Sequence, residues 1–292
     1  MANRKARERW AKAALTMFAA ALVAFDTLTV PYWVCAWQWR RIREEVASEV
    51  VVAQRDSGFD LAKAKGETYW IPAANRGSLV VMLTELRANV YRIDTCDVLA
   101  GDVVLDCGAN VGVFTRYALR RGARKVLAIE PAPDNLECLR RNFDREIRAG
   151  VVVVCDKGVW DRDAELLLNV VDGDTGRDSV ALKPTGARQG PRVALTTIDK
   201  LVRETGLDRV DFVKMDIEGA ECRALRGAGA TIARWHPRMA ISGEHFTGQP
   251  EQVIELLRAT WPGVRISRFP SVPVRLVFSL KRQMDDQTVF AW

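Results

Sequence analysis

From residue 101 to the C-terminus, short apolar runs alternate with longer amphipathic stretches. Runs such as Val103–Leu105 and Lys125–Ile129 have the length and apolar content of buried strands, and Asn135–Ile147 has the periodicity of a helix. Strands that alternate with helices of this length form βαβ units, in which helices cover both faces of a parallel sheet. The pattern therefore predicts an α/β fold for this part of the chain.

The alternation is interrupted before a fourth strand, predicted at Val210–Met215. Turn residues there separate three strand-like segments, namely Glu165–Val171, Ser179–Leu182 and Val193–Thr197. We interpret them as an antiparallel insertion. After it, the pattern predicts a helix at Ile198–Thr205 and a strand at Arg238–Ser242. Three further segments fit the closing strands, namely Val264–Ser267, Val274–Ser279 and Thr288–Ala291.

The chain before residue 101 has a different pattern and is divided into two units. Residues 1–45 form a basic and apolar segment whose clean apolar run, Ala13–Phe25, is shorter than the roughly 20 residues that span a bilayer. Its basic flanks and tryptophans are typical of a helix that lies on a membrane surface, with residues 10–39 making the contact. A helix that packs against protein explains the same features equally well. Residues 46–100 are predicted to form a helical extension of a catalytic domain that covers residues 101–292.

The first α/β strand leads into a loop of small residues, Asp106-Cys-Gly-Ala-Asn-Val-Gly112. Gly108 and Gly112 allow a tight turn and the close approach of a ligand, and the free N–H groups at the following helix start favour an anionic group. The spacing, with Asn110 between the glycines, differs from the G-x-G-x-x-G loop that meets a pyrophosphate. Asp106 would repel a pyrophosphate and attract the ammonium group of an amino acid, which favours a methionine-containing cofactor over a dinucleotide.

Acidic residues also follow the second and third strands. Glu130 lies about 20 residues after the glycine loop, where a carboxylate binds the ribose hydroxyls of a nucleoside. Asp156 can hydrogen-bond the adenine amino group. Each has a simpler explanation as well, a helix cap for Glu130 and turn chemistry for Asp156.

The fourth and fifth strands lead to the candidate catalytic residues Asp216, Glu218 and His245. Ligands bind at the carboxyl edge of open α/β sheets, where these residues are expected to meet. Asp216 and Glu218 can orient a substrate hydroxyl, accept its proton or hold a divalent cation. Glu218 can also simply stabilise a helix start. His245 is a suitable general base, although a histidine beside a glutamate is often a structural pair. We predict His245 or Asp216 as the base and assign no metal ligands.

Composition narrows the class of partner. The net charge of +6 is modest, and the body of the chain has no basic patch with stacking aromatics, so we expect no nucleic-acid partner. The six cysteines are scattered without a Cys-x-x-Cys pair, which argues against a structural zinc site and fits a reducing compartment. We therefore expect a cytoplasmic protein, with association at the cytoplasmic membrane face and a homodimer both compatible with the sequence.

Four segments together resemble the FkbM family of class I, Rossmann-like methyltransferases: Gly101–Gly112, Ala128–Pro131, Leu195–Asp199 and Phe212–Ala220. The resemblance runs from about Gly66 to Gly263. It implies S-adenosylmethionine as the cofactor, a mostly parallel seven-stranded sheet with a reversed final hairpin, and a substrate lid in the insertion. It also implies O-methylation of a hydroxyl on a sugar, glycan or secondary metabolite.

Two alternatives remain from the residues themselves. An NAD-dependent oxidoreductase would share the parallel sheet and the ribose carboxylate, but the glycine spacing disfavours it. A catalytically inactive, cofactor-binding module is the other, and intact Asp106, Glu130 and Asp216 disfavour it.

Overall fold

The computed structural model describes residues 37–243, 245–270 and 287–292, with only the backbone described at residues 269, 270 and 287. The predictions for residues 1–36 and for the strand at Val274–Ser279 lie outside these ranges. Within them, no helix combines the length and the apolar content needed to cross a bilayer.

Three strands and two helices precede the α/β part of the chain, in which strands and helices alternate. In chain order, the elements are α1 (37–49), β1 (Val51–Asp56), β2 (Phe59–Ala64), β3 (Glu67–Pro72), α2 (Arg76–Arg87), β4 (Val103–Cys107), α3 (Val113–Arg120), β5 (Lys125–Ile129), α4 (Pro133–Asn142), α5 (Asp144–Arg148), β6 (Val152–Cys155), β7 (Gly158–Val159), β8 (Ala164–Val170), β9 (Arg188–Thr196), α6 (Ile198–Glu204), β10 (Phe212–Met215), α7 (Glu221–Arg226), α8 (Gly229–Trp235), β11 (Arg238–Ser242), α9 (Gln249–Thr260), β12 (Ile266–Pro270) and β13 (Gln287–Ala291).

The central sheet has seven strands in the order β12-β13-β11-β10-β4-β5-β6. The strands from β11 to β6 pair in parallel, whereas β13 runs antiparallel to both β11 and β12. The predicted mostly parallel sheet with a reversed final hairpin is therefore confirmed. Both faces of a parallel sheet are covered, which explains why its strands are apolar runs rather than alternating ones.

Alternate residues along each strand enter two apolar layers. Leu105 and Leu127 pack with residues from α6 to α9, and Val104 and Val126 pack with residues from α3 and α4. Full burial of one such aliphatic side chain contributes about 1.5–3 kcal/mol. The predicted helices on both faces are thus confirmed, and the sheet forms a rigid platform whose carboxyl edge carries the loops.

The predicted antiparallel insertion is confirmed, with one strand corrected. β8 and β9 pair antiparallel, and β7 adds to β9 in parallel. Residues 179–182 form no strand and make a single bridge, between Ser179 and Asn169. The reason is local. The Ser179 hydroxyl accepts the backbone N–H groups of Ala181 and Leu182, and the Asn169 side chain donates to the Leu182 carbonyl oxygen. These side chains satisfy backbone groups that a strand would pair with a neighbour.

The predicted helical extension over residues 46–100 is wrong in its first half. β1, β2 and β3 form an antiparallel sheet there, and α2 is the helix that follows them within the extension. Two-residue turns join the strands, Ser57-Gly58 with φ of +48° and +92° and Lys65-Gly66 with φ of +44° and +85°. Positive φ at both central residues is the hairpin turn that matches strand twist.

This small sheet packs directly against the catalytic part of the chain. Its Tyr69 and Ile71 share an apolar cluster with Val111 and Val113, which flank the end of the glycine loop. The Asn142 side chain accepts the Trp70 N–H at 2.6 Å and donates to the carbonyl oxygens of Trp70 and Val111. The extension therefore fixes the loop after β4.

Candidate active site at the carboxyl edge of the sheet

The predicted site residues lie at the carboxyl ends of neighbouring strands. The glycine loop follows β4, Glu130 follows β5, Asp216 and Glu218 follow β10, and His245 follows β11. Asp156 follows β6 and is exposed to solvent. The carboxylates of Asp106 and Glu130 and those of Asp216 and Glu218 therefore lie at the same edge of the sheet, where open α/β sheets bind their ligands.

The two glycines of the loop make room for protein atoms. Gly108 has φ +78°, and a Cβ there would lie 1.9 Å from the Asp216 carbonyl oxygen. Gly112 has φ +91°, and its Cβ would lie 2.1 Å from the Phe143 ring. We predicted that these glycines open the way for a ligand. The structure adds a reason within the protein, because a Cβ at either glycine would meet a neighbouring chain segment; the approach of a ligand stays a prediction.

The backbone N–H groups of the loop are also engaged within the protein. Gly108 and Ala109 both donate to the Ile129 carbonyl oxygen, and Gly112 donates to Ala109. Asn110 donates to Glu130, and Val111 donates to the Asn110 side chain. The N–H groups of the loop are therefore not free, and the anion site predicted at the start of the following helix stays a prediction.

Asp106 and Lys214 form a buried pair beneath the loop. They are register partners on β4 and β10, so their side chains emerge on the same face of the sheet. The Lys214 Nζ lies 3.6 Å from the Asp106 Oδ1 and donates to the Gly108 carbonyl oxygen at 2.8 Å. The Thr115 hydroxyl donates to the Asp106 Oδ2 at 2.6 Å. Burial raises the pKa of Asp106, and Lys214 opposes that shift.

This pair changes the picture of Asp106. The residue is fully buried, and its Oδ1 accepts no hydrogen bond from the described residues. In this conformation the carboxylate anchors the loop through Lys214, and its predicted contact with a cofactor ammonium group stays a prediction. Lys214 itself was not predicted as a site residue.

Glu130 holds the loop from the neighbouring strand end. Its Oε2 accepts the Asn110 N–H and its Oε1 accepts the Ala132 N–H, both at 2.9 Å. The Asn135 amide donates to Oε1 at 3.4 Å. Burial raises the pKa of Glu130, and these backbone N–H groups oppose the shift. A carboxylate has about four lone-pair positions, so one remains for a ligand hydroxyl.

The second carboxylate group surrounds His245. Its Nε2 lies 3.2 Å from the Glu221 Oε1 and 3.4 Å from the Asp216 Oδ1, and its Nδ1 lies 3.5 Å from the Glu218 Oε2. The Tyr91 hydroxyl donates to the Asp216 Oδ2 at 2.7 Å. The structure therefore brings all three predicted catalytic residues together and adds Glu221 and Tyr91 to them.

The electrostatics of this group differ from those of a free histidine. Burial acts to lower the pKa of His245, but the Glu221 and Glu218 carboxylates raise it well above the usual value. Burial acts to raise the pKa of Asp216, but His245 and Lys214 hold it well below its usual range. Efficient general bases have pKa values near the working pH. In this state neither His245 nor Asp216 meets that condition, and their base roles stay predictions.

Two further acidic residues were missed from the sequence. Glu221 is fully buried; its Oε1 accepts the Ile217 N–H at 2.9 Å and its Oε2 accepts the Gln249 side chain at 2.5 Å. Asp178, in the insertion, has its pKa raised to about 7 by burial and by the carboxylates of Glu130, Asp174 and Glu218. The spacing of Glu221, three residues after Glu218, was a usable signal, whereas nothing in the local sequence marks Asp178.

Hydrogen bonds connect the insertion to the glycine loop and to α2. The Asn110 side chain donates to the Thr175 carbonyl oxygen at 3.1 Å, and the Thr175 N–H donates to the Asn75 Oδ1 at 3.0 Å. The Ser78 hydroxyl donates to the Asp174 Oδ1 at 3.1 Å. We call residues 174–178 the strap, because they tie α2 and the loop together over the sheet edge.

The sequence model of the Methyltransferase FkbM domain matches residues 106–260, which carry every predicted site residue. This chain belongs to the FkbM methyltransferase family. The match includes the strand-end residues of β4, β5, β10 and β11. Membership of a methyltransferase family favours methyl transfer over the alternative of an NAD-dependent oxidoreductase.

Curated relatives agree with membership of the FkbM family. The chain is 29% identical over 187 residues to the 31-O-demethyl-FK506 methyltransferase FkbM of Streptomyces tacrolimicus, covering 54% of this chain and 71% of that protein. It is 28% identical over 161 residues to the hexuronic acid methyltransferase AglP of Haloferax volcanii, covering 53% and 61%. It is 29% identical over 144 residues to Methyltransferase 1 of Beauveria bassiana, covering 42% of this chain and only 57% of that protein.

The crystal structure of Methyltransferase FkbM from Methylobacillus flagellatus has the same fold. The two superpose with a TM-score of 0.51 at 18% identity, over 87% of this chain and 59% of that one. At this identity the similarity establishes the Rossmann-like fold of this FkbM-family member.

Proposed function

We propose that this chain transfers the methyl group of S-adenosylmethionine to a hydroxyl oxygen of a sugar, glycan or secondary metabolite. The observation that carries the proposal is the meeting of two acidic groups at one sheet edge in a member of this family. Asp106 and Glu130 form the first group, and Asp216 and Glu218, which contact His245, form the second.

The residues of the first group fit the cofactor. S-adenosylmethionine supplies an electrophilic methyl group on a sulfonium, and it carries an ammonium group and two ribose hydroxyls. Glu130 has one lone-pair position left for a ribose hydroxyl. Asp106 has an oxygen that accepts no hydrogen bond within the described chain. An acidic edge suits a ligand with cationic groups better than it suits a pyrophosphate.

The residues of the second group fit a hydroxyl-bearing acceptor. Asp216 and Glu218 are ringed by polar groups and remain partly exposed, with side-chain exposures of 22% and 25%. Ionised carboxylates only accept hydrogen bonds, so they bind and orient O–H donors. Aligning the acceptor oxygen with the methyl carbon supplies most of the acceleration in such a displacement. Two relatives support an oxygen-rich acceptor, since one is named for a 31-O position and another for hexuronic acid.

Calorimetry with S-adenosylhomocysteine tests the cofactor assignment. We expect the full chain to bind it and Glu130→Gln to weaken the binding by about 10–100-fold, because hydrogen bonds to a charged group contribute about 1.5–3 kcal/mol. Glu165→Gln makes the same chemical change at an exposed position on β8 and should bind like wild type. Equal affinity in the two variants, or no binding to wild type, would refute the assignment.

A transfer assay with tritiated S-adenosylmethionine tests the reaction. We expect label to enter one or more members of a panel of hexoses, hexuronic acids and polyhydroxylated macrolides. The labelled product should resist mild alkali, because methyl ethers are stable under conditions that hydrolyse methyl esters. Alkali-labile label would show transfer to a carboxylate instead. Cofactor binding without any transfer across the panel would favour an inactive cofactor-binding module.

A further inference from the structure

Three side chains at the sheet edge converge with the spacing of metal ligands. Asp216, Glu218 and His245 each offer one ligand atom, and these atoms lie within 4.8 Å of one another. Cis ligands on an octahedral ion with bonds of about 2.1 Å are about 3.0 Å apart. The His245 Nε2 lies 3.4 Å from the Asp216 Oδ1, which is close to that separation, so small side-chain movements would bring the three ligand atoms onto one ion.

One ring nitrogen of His245 faces this group without making a hydrogen bond. The His245 side chain is only 7% exposed, and its Nε2 is buried without a hydrogen bond to the described residues. Most buried polar side-chain atoms in proteins have a partner, so such an atom indicates a ligand site. The neighbouring carboxylate oxygens lie near Nε2 but are not directed for hydrogen bonds.

The negative charge of the carboxylates around His245 also favours a bound cation. Three carboxylates, from Asp216, Glu218 and Glu221, contact the single imidazole. With the three carboxylates ionised and the ring protonated, the group carries a net charge of −2. Lys214 acts on Asp216 from a distance, but it is already held by Asp106 and the Gly108 carbonyl oxygen. Buried charges are normally paired or bound to a metal.

Outer residues hold the ligands in place. The Glu221 carboxylate lies 3.2 Å from the His245 Nε2 and is itself fixed by the Ile217 N–H and the Gln249 amide. Tyr91 fixes Asp216 from its other oxygen. Replacing outer partners of this kind typically weakens metal binding by about 10–100-fold.

We propose that Asp216, Glu218 and His245 bind a divalent metal ion, Mn²⁺ in preference to Mg²⁺. Carboxylates suit both ions, and the imidazole favours the transition metal. The partly exposed side of the site leaves positions for water or for an acceptor hydroxyl. A bound cation would lower the pKa of a hydroxyl that it holds, so that the proton could pass to solvent water instead of to His245. That last role rests on the proposed function, whereas metal binding does not.

The test is to titrate the full chain with Mn²⁺ in the absence of cofactor and to measure the bound ion by electron paramagnetic resonance. We expect one ion per chain and loss of that binding in Asp216→Asn and Glu218→Gln. Glu221→Gln, which changes an outer partner, should weaken binding by about 10–100-fold. Glu165→Gln should bind like wild type. The spin-echo modulation of bound Mn²⁺ should show a ¹⁴N coupling in wild type that is absent in His245→Gln.

Folding and cofactor binding are followed separately in the same proteins. Circular dichroism confirms that each variant is folded, and His245→Gln is preferred to alanine because it keeps a polar group among the carboxylates. No saturable Mn²⁺ binding, wild-type affinity in Asp216→Asn and Glu218→Gln, or no ¹⁴N coupling would overturn the proposal. Calorimetry with S-adenosylhomocysteine reports on the proposed function alone, so the two failures are distinguishable.

Discussion

Gly108→Ala is expected to destabilise the protein through two separate effects. The residue has φ +78°, which costs a residue with a Cβ about 1–2 kcal/mol. The new Cβ would also lie 1.9 Å from the Asp216 carbonyl oxygen, where normal C···O contacts are about 3.3–3.6 Å. The end of β10 must therefore move within a close-packed interior, and overpacking of this kind costs about 1–3 kcal/mol. The two effects together lower the free energy of unfolding by about 2–5 kcal/mol.

Gly101→Ala separates the two effects. Gly101 has a similar φ, +86°, but no atom lies within 4 Å of the position a Cβ would take. Only the backbone cost of about 1–2 kcal/mol applies there. Urea unfolding, followed by tryptophan fluorescence, gives both free energies of unfolding by linear extrapolation. If Gly108→Ala and Gly101→Ala lower the free energy of unfolding by amounts that agree within about 0.5 kcal/mol, the argument from packing is refuted. Differences of that size are common even between substitutions that disturb no packing.

Gly108→Ala also shows whether the glycine is needed for packing within the protein or for the close approach of a ligand. Movement of the Asp216 carbonyl should weaken binding of S-adenosylhomocysteine together with the loss of stability. A Gly108→Ala protein with the stability of Gly101→Ala but much weaker binding would show that the glycine serves the ligand instead.

Three other substitutions test the buried pair, the insertion and the strap. Lys214→Met leaves Asp106 buried without its partner and should lower the free energy of unfolding by about 3–5 kcal/mol. Adding Asp106→Asn should recover part of that loss, and a purely additive cycle would contradict the pairing. Burial raises the pKa of Asp178 to about 7, so wild type should lose stability as the pH rises from about 4 to about 7. Asp178→Asn should lose less stability than wild type over that window and be more stable at pH 8 by about 1–2 kcal/mol, a figure discounted for partial exposure; parallel pH curves would argue against it. Asn75→Ala removes the acceptor of the Thr175 N–H and should speed amide hydrogen exchange in the strap, and unchanged exchange there would show that this bond does not hold it.

The α/β part of the fold was predictable because its signals are local. Buried parallel strands appear as short apolar runs, so Lys125–Ile129 and Arg238–Ser242 were predicted with the bounds that the structure shows. The N-terminal sheet was missed because its strands mix charged and apolar residues. Ser57-Gly58 and Lys65-Gly66 were the available signals, since such pairs adopt the positive φ angles of hairpin turns.

The candidate site was predictable only where a residue follows a strand. Asp216, Glu218 and His245 were placed together because parallel strands share a carboxyl edge. Lys214 was not recognised, because it sits inside an apolar strand and its partner lies on another strand. Asp178 reaches the site through the path of the insertion, which no local pattern fixes. Contacts that depend on strand register or on the path of a loop cannot be predicted from the residues next to them in the sequence.

The pairing of Lys214 with Asp106 also bears on how the sheet assembles. β4 and β10 are hydrogen-bonded neighbours that are far apart along the chain, and both are otherwise apolar. A shift of β10 by one residue would place Lys214 beside Leu105 or Cys107 and turn its side chain to the opposite face. Both charges would then be buried without a partner, which destabilises the shifted register by several kcal/mol and leaves the native register unaffected. The pair thus acts as a key for strand alignment, selecting one register among several that apolar side chains alone would tolerate.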